Sequence, residues 1–171
     1  MQVVKNIFIS LFVLWFAIFM FMPKQELYYT LEKELLKQGI EINEKSREEG
    51  LFSLHLNEAT LYAKGIKVAT IEELSFFSML FYSTLSISNV QVDDSLKSFV
   101  PQHIENTIMV HSVLSAFEVF VTSMGSFGLA EGKIDLNEHK IRLDFIDAKD
   151  IKTIKSQLKK DDKGWYYETS F

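Results

Sequence analysis

The spacing of apolar and polar positions divides the chain into regimes of different period. From Ile7 to Met22 the sequence IFISLFVLWFAIFMFM is uncharged and apolar on every side. With Val3 and Val4 before it, the run reaches about 20 residues, the length an α-helix needs to cross hydrocarbon. A helix apolar all round, carrying Trp15 and several Phe, would need a much larger protein to bury it in a core. Next, QELYYTLEKELLKQG places Leu27, Leu31 and Leu35 four residues apart with charged residues elsewhere, which predicts an amphipathic helix ending at Gly39. Its apolar stripe packs on the domain's own sheet or continues the membrane helix along the bilayer surface.

From Ile40 the period changes to 2, the signature of strands. Ile40 and Ile42 alternate in IEINE; after the turn SREEG, Phe52, Leu54 and Leu56 alternate, and the phase then shifts to Ala59, Leu61 and Ala63. That shift predicts a bulge or bend near Asn57–Glu58. A short strand follows Gly65. The stretch Leu74–Leu85, LSFFSMLFYSTL, is too short to span a bilayer and rich in β-forming aromatics; it reads as core, with a short helix through Phe81 as the alternative. LSISNVQV, an irregular SLKSFVPQH region, and the apolar runs TIMVHSVL and FEVFVTSM come next. The clearest hairpin runs from Gly128 to Phe145, turning at Asn137–His139, with Ile134 and Leu136 facing Ile141, Leu143 and Phe145. AKDIKTIKSQLKKD then predicts a second helix, with Ile151, Ile154 and Leu158 on one face, and WYYETSF a last strand. The expected fold class is α+β, mostly β: an N-terminal transmembrane helix followed by a curved antiparallel sheet with one or two amphipathic helices. Residues 1–23 would be a transmembrane signal anchor and 24–171 one β-rich domain.

Charge changes this picture only in what surrounds the domain. Lys5 is the one charged side chain before Pro23, so the remainder carries the other Lys and Arg and all 23 Asp and Glu, a net −6. Such a surface argues against nucleic-acid binding, which neutralises phosphates with cations. Signal-peptide cleavage needs small residues, and FAIFMFMPKQ has only bulky ones after Ala17, which favours an uncleaved anchor. A short head and long tail make the tail the translocated part, giving a single-pass protein of the bacterial inner membrane with a periplasmic C-terminal domain. No cysteine is present, so neither disulfides nor thiolate metal sites exist.

The order of these features resembles the type II secretion protein N family and the related AsmA-like envelope proteins. The features that carry the resemblance are the N-terminal apolar run, LYYTLEKELLKQG, the strand pair FSLHLNEATLYAKGIKV, and the closing GLAEGKIDLNEHKIRLDF and GWYYETSF. The resemblance implies a role in secretion or envelope assembly without catalysis. It is one of pattern, covers most of the chain, and transfers no site residue; members of the secretion family are commonly longer.

Chemistry-bearing motifs are sparse. His55, His103, His111 and His139 are scattered, with no i, i+4 pair of the kind that holds zinc on a helix. The glycines of MGSFGLAEG form neither a P-loop nor a dinucleotide fingerprint and read as bends entering the hairpin, while Ser126 lacks a nucleophile-elbow frame. Asp93–Asp94 and Asp161–Asp162 lie in expected loops, where carboxylates keep ordinary acidity. No catalytic, cofactor or metal site is predicted, and the chain reads as no enzyme. Two binding roles remain. One is a structural or interaction module meeting other envelope or secretion proteins through strand edges or helix faces. The other is a carrier of lipid or lipopolysaccharide in an apolar groove, for which Phe76, Phe77, Phe81, Phe117 and Phe120 are the candidate lining. Lys152, Lys155 and Lys159 form a candidate contact for lipid headgroups or an acidic partner, against the plainer reading of a solvated helix face.

Overall fold

The computed structural model describes residues 24–79 and 81–171, together with Ser10. The chain divides into two compact units, residues 1–38 and Gly39–Phe171. In the first, helix α1 (Lys24–Lys37) stops where expected: the Gln38 amide bonds back to the Leu35 carbonyl and Gly39, which opens the second unit, takes the left-handed backbone (φ 75) that terminates helices.

The second unit is one antiparallel sheet of eleven strands. β1 (Ile40–Asn43) and β2 (Ser46–Glu49) lie end to end along one edge of β3 (Ser53–Ala63). β4 (Ile66–Met79), β5 (Tyr82–Val92), β6 (His103–Ser112), β7 (Glu118–Gly125), β8 (Gly128–Asp135) and β9 (Lys140–Ala148) follow as a meander, each strand pairing with the next. β11 (Gly164–Ser170) pairs β9, and the three-residue β10 (Lys159–Asp161) closes the far edge on β11. Among the described residues β1 and β2 at one edge and β10 at the other meet no further strand, so the sheet is open and has two edges.

The meander places connections alternately at two ends. One end gathers the β2–β3, β4–β5, β6–β7 and β8–β9 connections and the C-terminus, where the Phe171 amide bonds to the His139 carbonyl. The other gathers β3–β4, β5–β6, β7–β8 and the long passage from β9 to β11.

The phase shift anticipated at Asn57–Glu58 is present: Glu58 has a left-handed backbone (φ 50), and buried positions change from Leu56 to Ala59 across it. The irregularity is shared by neighbours. Asn89 of β5 is left-handed too (φ 52) and donates to Glu72 of β4 at 2.6 Å, while Lys45 meets Glu58 at 2.8 Å. A crease of exposed polar residues therefore crosses several strands, and it keeps apolar side chains on the same face to either side.

Of the two readings of Leu74–Leu85, the strand-forming one holds: residues 74–79 end β4 and 82–85 start β5, paired from Phe76↔Leu85 to Met79↔Tyr82. Two expectations need correction. The second amphipathic helix does not form: after Ala148 the chain runs through turns and a single 3-10 turn at Lys155–Gln157 into β10. Ile151, Ile154 and Leu158 do face the core, as their spacing required. However, β-branched Ile151, Thr153 and Ile154 are poor helix formers, and Lys159–Asp161 gain more by pairing with Gly164–Tyr166 than by forming a last helical turn. Lastly, no helix among the described residues is long and apolar enough to cross a membrane, α1 having 14 residues, so the transmembrane element of the fold class and the single-pass inner-membrane placement are not supported. Apart from Ser10, the apolar run Ile7–Met22 and the 1–23 anchor assigned to it lie outside the described residues.

Candidate functional site

Register decides which side chains share a face, because directly paired residues of antiparallel strands point the same way. Following the pairs from β3 to β11 gives the row Leu54, Phe76, Leu85, Met109, Val121, Gly132, Leu143 and Tyr167. Two residues along, on the same face, runs Leu56, Leu74, Ile87, Thr107, Ser123, Ala130, Phe145 and Trp165. Both rows are apolar or small throughout. Their few hydroxyls satisfy each other or lie between strands: Thr107 Oγ1 and Ser123 Oγ are 2.7 Å apart, and nearer the β4–β5 turn Ser78 Oγ and Ser83 Oγ are 2.9 Å apart. Paired hydroxyls of this kind cost an apolar surface little.

Among the described residues of the unit Gly39–Phe171, most of this face is sheltered without being covered. Leu56, Val121 and Ala130 are buried, and Leu54, Phe76, Leu85, Met109, Leu143 and Tyr167 are half-buried. The substantial contacts of the sheet are all between strands adjacent in it, so these side chains shelter one another along the sheet. Among the described residues of the unit Gly39–Phe171, only near the β7–β8 turn does another segment lie across them, where Ile151 and Ile154 pack with Phe127 and Ala130, flanked by Ile104, Phe145, Leu158 and Trp165. Phe127 and Phe145 meet edge to face at 5.8 Å.

The opposite face is mixed, with ion pairs on β8, β9 and β11 and exposed Phe77, Ile108 and Phe120 on β4, β6 and β7. A depression of about 460 Å³ lies there, lined by Phe120, Thr122, Glu131, Lys133, Arg142 and Ile146 among others. Its cations are held by the protein's own acids. The Arg142 guanidinium bonds to Asp144 at 2.7 Å and Asp161 at 2.8 Å and stacks over the Tyr166 ring at 4.2 Å; Lys133 pairs with Glu118. Those bonds hold Arg142 and Lys133 more firmly protonated than usual and pull Asp161 below the ordinary carboxylate range. Glu168 is likewise lowered, by Lys140 at 3.0 Å and Lys159 at 3.1 Å. Among the described residues no group of three or more His, Asp or Glu is arranged to hold a metal ion.

The five candidate phenylalanines do not line one groove. Phe76 belongs to the apolar face; Phe77 and Phe120 stand exposed on the opposite face, in the row Ser53, Phe77, Thr84, Val110, Phe120; Phe81 and Phe117 are exposed in the β4–β5 and β6–β7 connections. The lysines diverge as well. Lys159 is engaged by Glu168, Lys155 lies 5.1 Å from the Trp165 ring centre, and Lys152 is exposed in a turn. The residues that do converge, Leu54, Leu85, Met109, Leu143 and Tyr167, were each visible as strand positions, but no single-strand signal groups them.

No family model, curated protein or solved structure matches this chain.

Proposed function

We propose that the protein is a non-catalytic binding module that takes apolar chains, of the acyl type found in lipids, along the apolar face of its sheet. One observation carries this reading: eight strands contribute an apolar row to a face over which, among the described residues of the unit Gly39–Phe171, only residues 149–158 lie, at one end. An ordinary two-layer domain would cover such a face with its own helices or a second sheet. A docking module for secretion or envelope assembly would instead use the strand edges. The edges here are short, IEIN in β1, SREE in β2 and KKD in β10, and the last two are strongly charged, which discourages added strands.

The test is photocrosslinking of the full chain with a fatty acid carrying a diazirine in its tail, with adduct positions read by mass spectrometry. Adducts concentrated on Leu85, Met109 and Leu143, and lost in Met109→Glu, are expected. Adducts confined to the opposite face, at Thr122 or Lys133, or adducts unchanged by Met109→Glu, refute the proposal.

A further inference from the structure

The two ends of the sheet differ in chemistry. At the end holding the β2–β3, β4–β5, β6–β7 and β8–β9 connections, large apolar side chains point to solvent from every connection: Leu51, Phe81, Val113, Leu114 and Phe117, with Leu136 in the last and Phe171 beside it. Leu114 is 97% exposed and Phe117 64%. The connecting residues 50–52, 80–81, 113–117 and 136–139 contain no Lys or Arg and a single carboxylate, Glu138. The opposite end has exposed Ile66 and Phe99 too, but sets them among Lys64, Lys97, Lys149, Lys152 and Lys163.

The geometry points to the first end as a peripheral bilayer contact, the loop tips dipping into the interfacial region of a lipid membrane. Three features select a bilayer over a protein partner. The tips are discontinuous: strands lie about 4.8 Å apart, so connections at one end recur about every 10 Å, and a row of separate tips suits a soft planar surface better than one complementary patch. Several of their backbone groups are already partnered, which lowers the penalty for leaving water. The Val113 amide bonds to the Phe81 carbonyl at 3.0 Å, Leu136 to Phe117 at 2.8 Å, and Phe171 to His139 at 3.0 Å, while the Ala116 carbonyl meets His111 Nε2 at 3.1 Å. Exposed Phe, Leu and Val without cations suit an interfacial contact driven by apolar burial and not by headgroup charge. The apolar face reaches this same end through Val119, Ile134 and Ile141, so a chain lying on that face would meet the membrane there. This last link rests on the acyl-chain reading; the contact itself does not.

The cysteine-free sequence makes the test direct. In the full chain, Leu114→Cys, Phe117→Cys and, at the opposite end, Lys97→Cys each carry an environment-sensitive fluorophore, and phosphatidylcholine vesicles with brominated acyl chains serve as quencher. Leu114 is so exposed that labelling it leaves the fold intact, which far-UV circular dichroism checks. At positions 114 and 117 the emission is expected to shift to the blue and be quenched several-fold more than at 97, unchanged by salt or by replacing phosphatidylcholine with phosphatidylglycerol. The label reports its own surroundings, whatever else brings the chain to the vesicle. Aqueous, unquenched emission at 114 and 117 overturns the proposal, as does quenching seen only on anionic vesicles and abolished by salt. A blue shift without vesicles that grows with protein concentration overturns it in favour of a second copy of the chain. Rim quenching without acyl adducts on the sheet face would leave the membrane contact standing and remove the carrier reading alone.

Discussion

Truncating Ile154 to alanine probes the segment that departs most from its sequence pattern. Ile154 is 9% exposed and packs with Ile151, Phe127 and Ala130 where residues 149–158 lie over the apolar face. Ile154→Ala removes three carbons, about 2.4 kcal/mol at roughly 0.8 kcal/mol per buried methylene, before any cavity term. Isoleucine-to-alanine losses in cores run to about 5 kcal/mol. Here half-buried Leu158 and Trp165 border the site and can settle into the space, so the expected cost stays near the transfer term, about 2–3 kcal/mol. For a unit of this size that lowers the melting temperature by roughly 5–12 °C. Urea titrations followed by circular dichroism and by Trp165 fluorescence, in a Trp15→Phe background, measure it. Lys152→Ala, at an exposed turn position two residues away, should stay within about 0.5 kcal/mol. Equal effects of the two changes would refute the reasoning, since residues 149–158 would then not be packed on the sheet.

Two further outcomes follow from particular contacts. Gly128 (φ 94) opens β8 where a Cβ would lie 1.6 Å from the Asp147 carbonyl oxygen, so Gly128→Ala should cost more than about 2 kcal/mol; a thermal melt within error of the parent would contradict the register of β8 and β9. Asp161 is held below its ordinary value of 3.8, chiefly by the Arg142 hydrogen bond, so its contribution to stability is present above the unfolded pKa and is lost as pH falls through the folded one. Carboxyl NMR should find its midpoint below 3.8 in the parent and closer to it in Arg142→Gln; a parent midpoint at or above 3.8 removes the ion pair from the account.

SREE, read as a turn, is strand β2, and KKD, read as the end of a helix, is strand β10. Local pattern by itself determined most other strands, the helix ending at Gly39, the bend at Glu58, the turn between Gly125 and Gly128, and the hairpin pairing Ile134 with Ile141. These are decided within a few residues, by alternation, by turn chemistry and by where a left-handed backbone is tolerated. The grouping of phenylalanines into a groove failed for a reason already present in the period of 2: neighbours such as Phe76 and Phe77 in one strand must point to opposite faces. Which strand positions join across the sheet depends on register between segments far apart in sequence, so Leu54 and Leu143 share a face only once six intervening pairings are set. The same holds for residues 149–158, whose helical spacing was real but whose backbone was claimed by the packing of Ile151 and Ile154 and by the pairing of β10 with β11. Tertiary structure alone also decided that apolar loop tips collect at one end and lysines at the other, because an antiparallel meander returns every second connection to the same end.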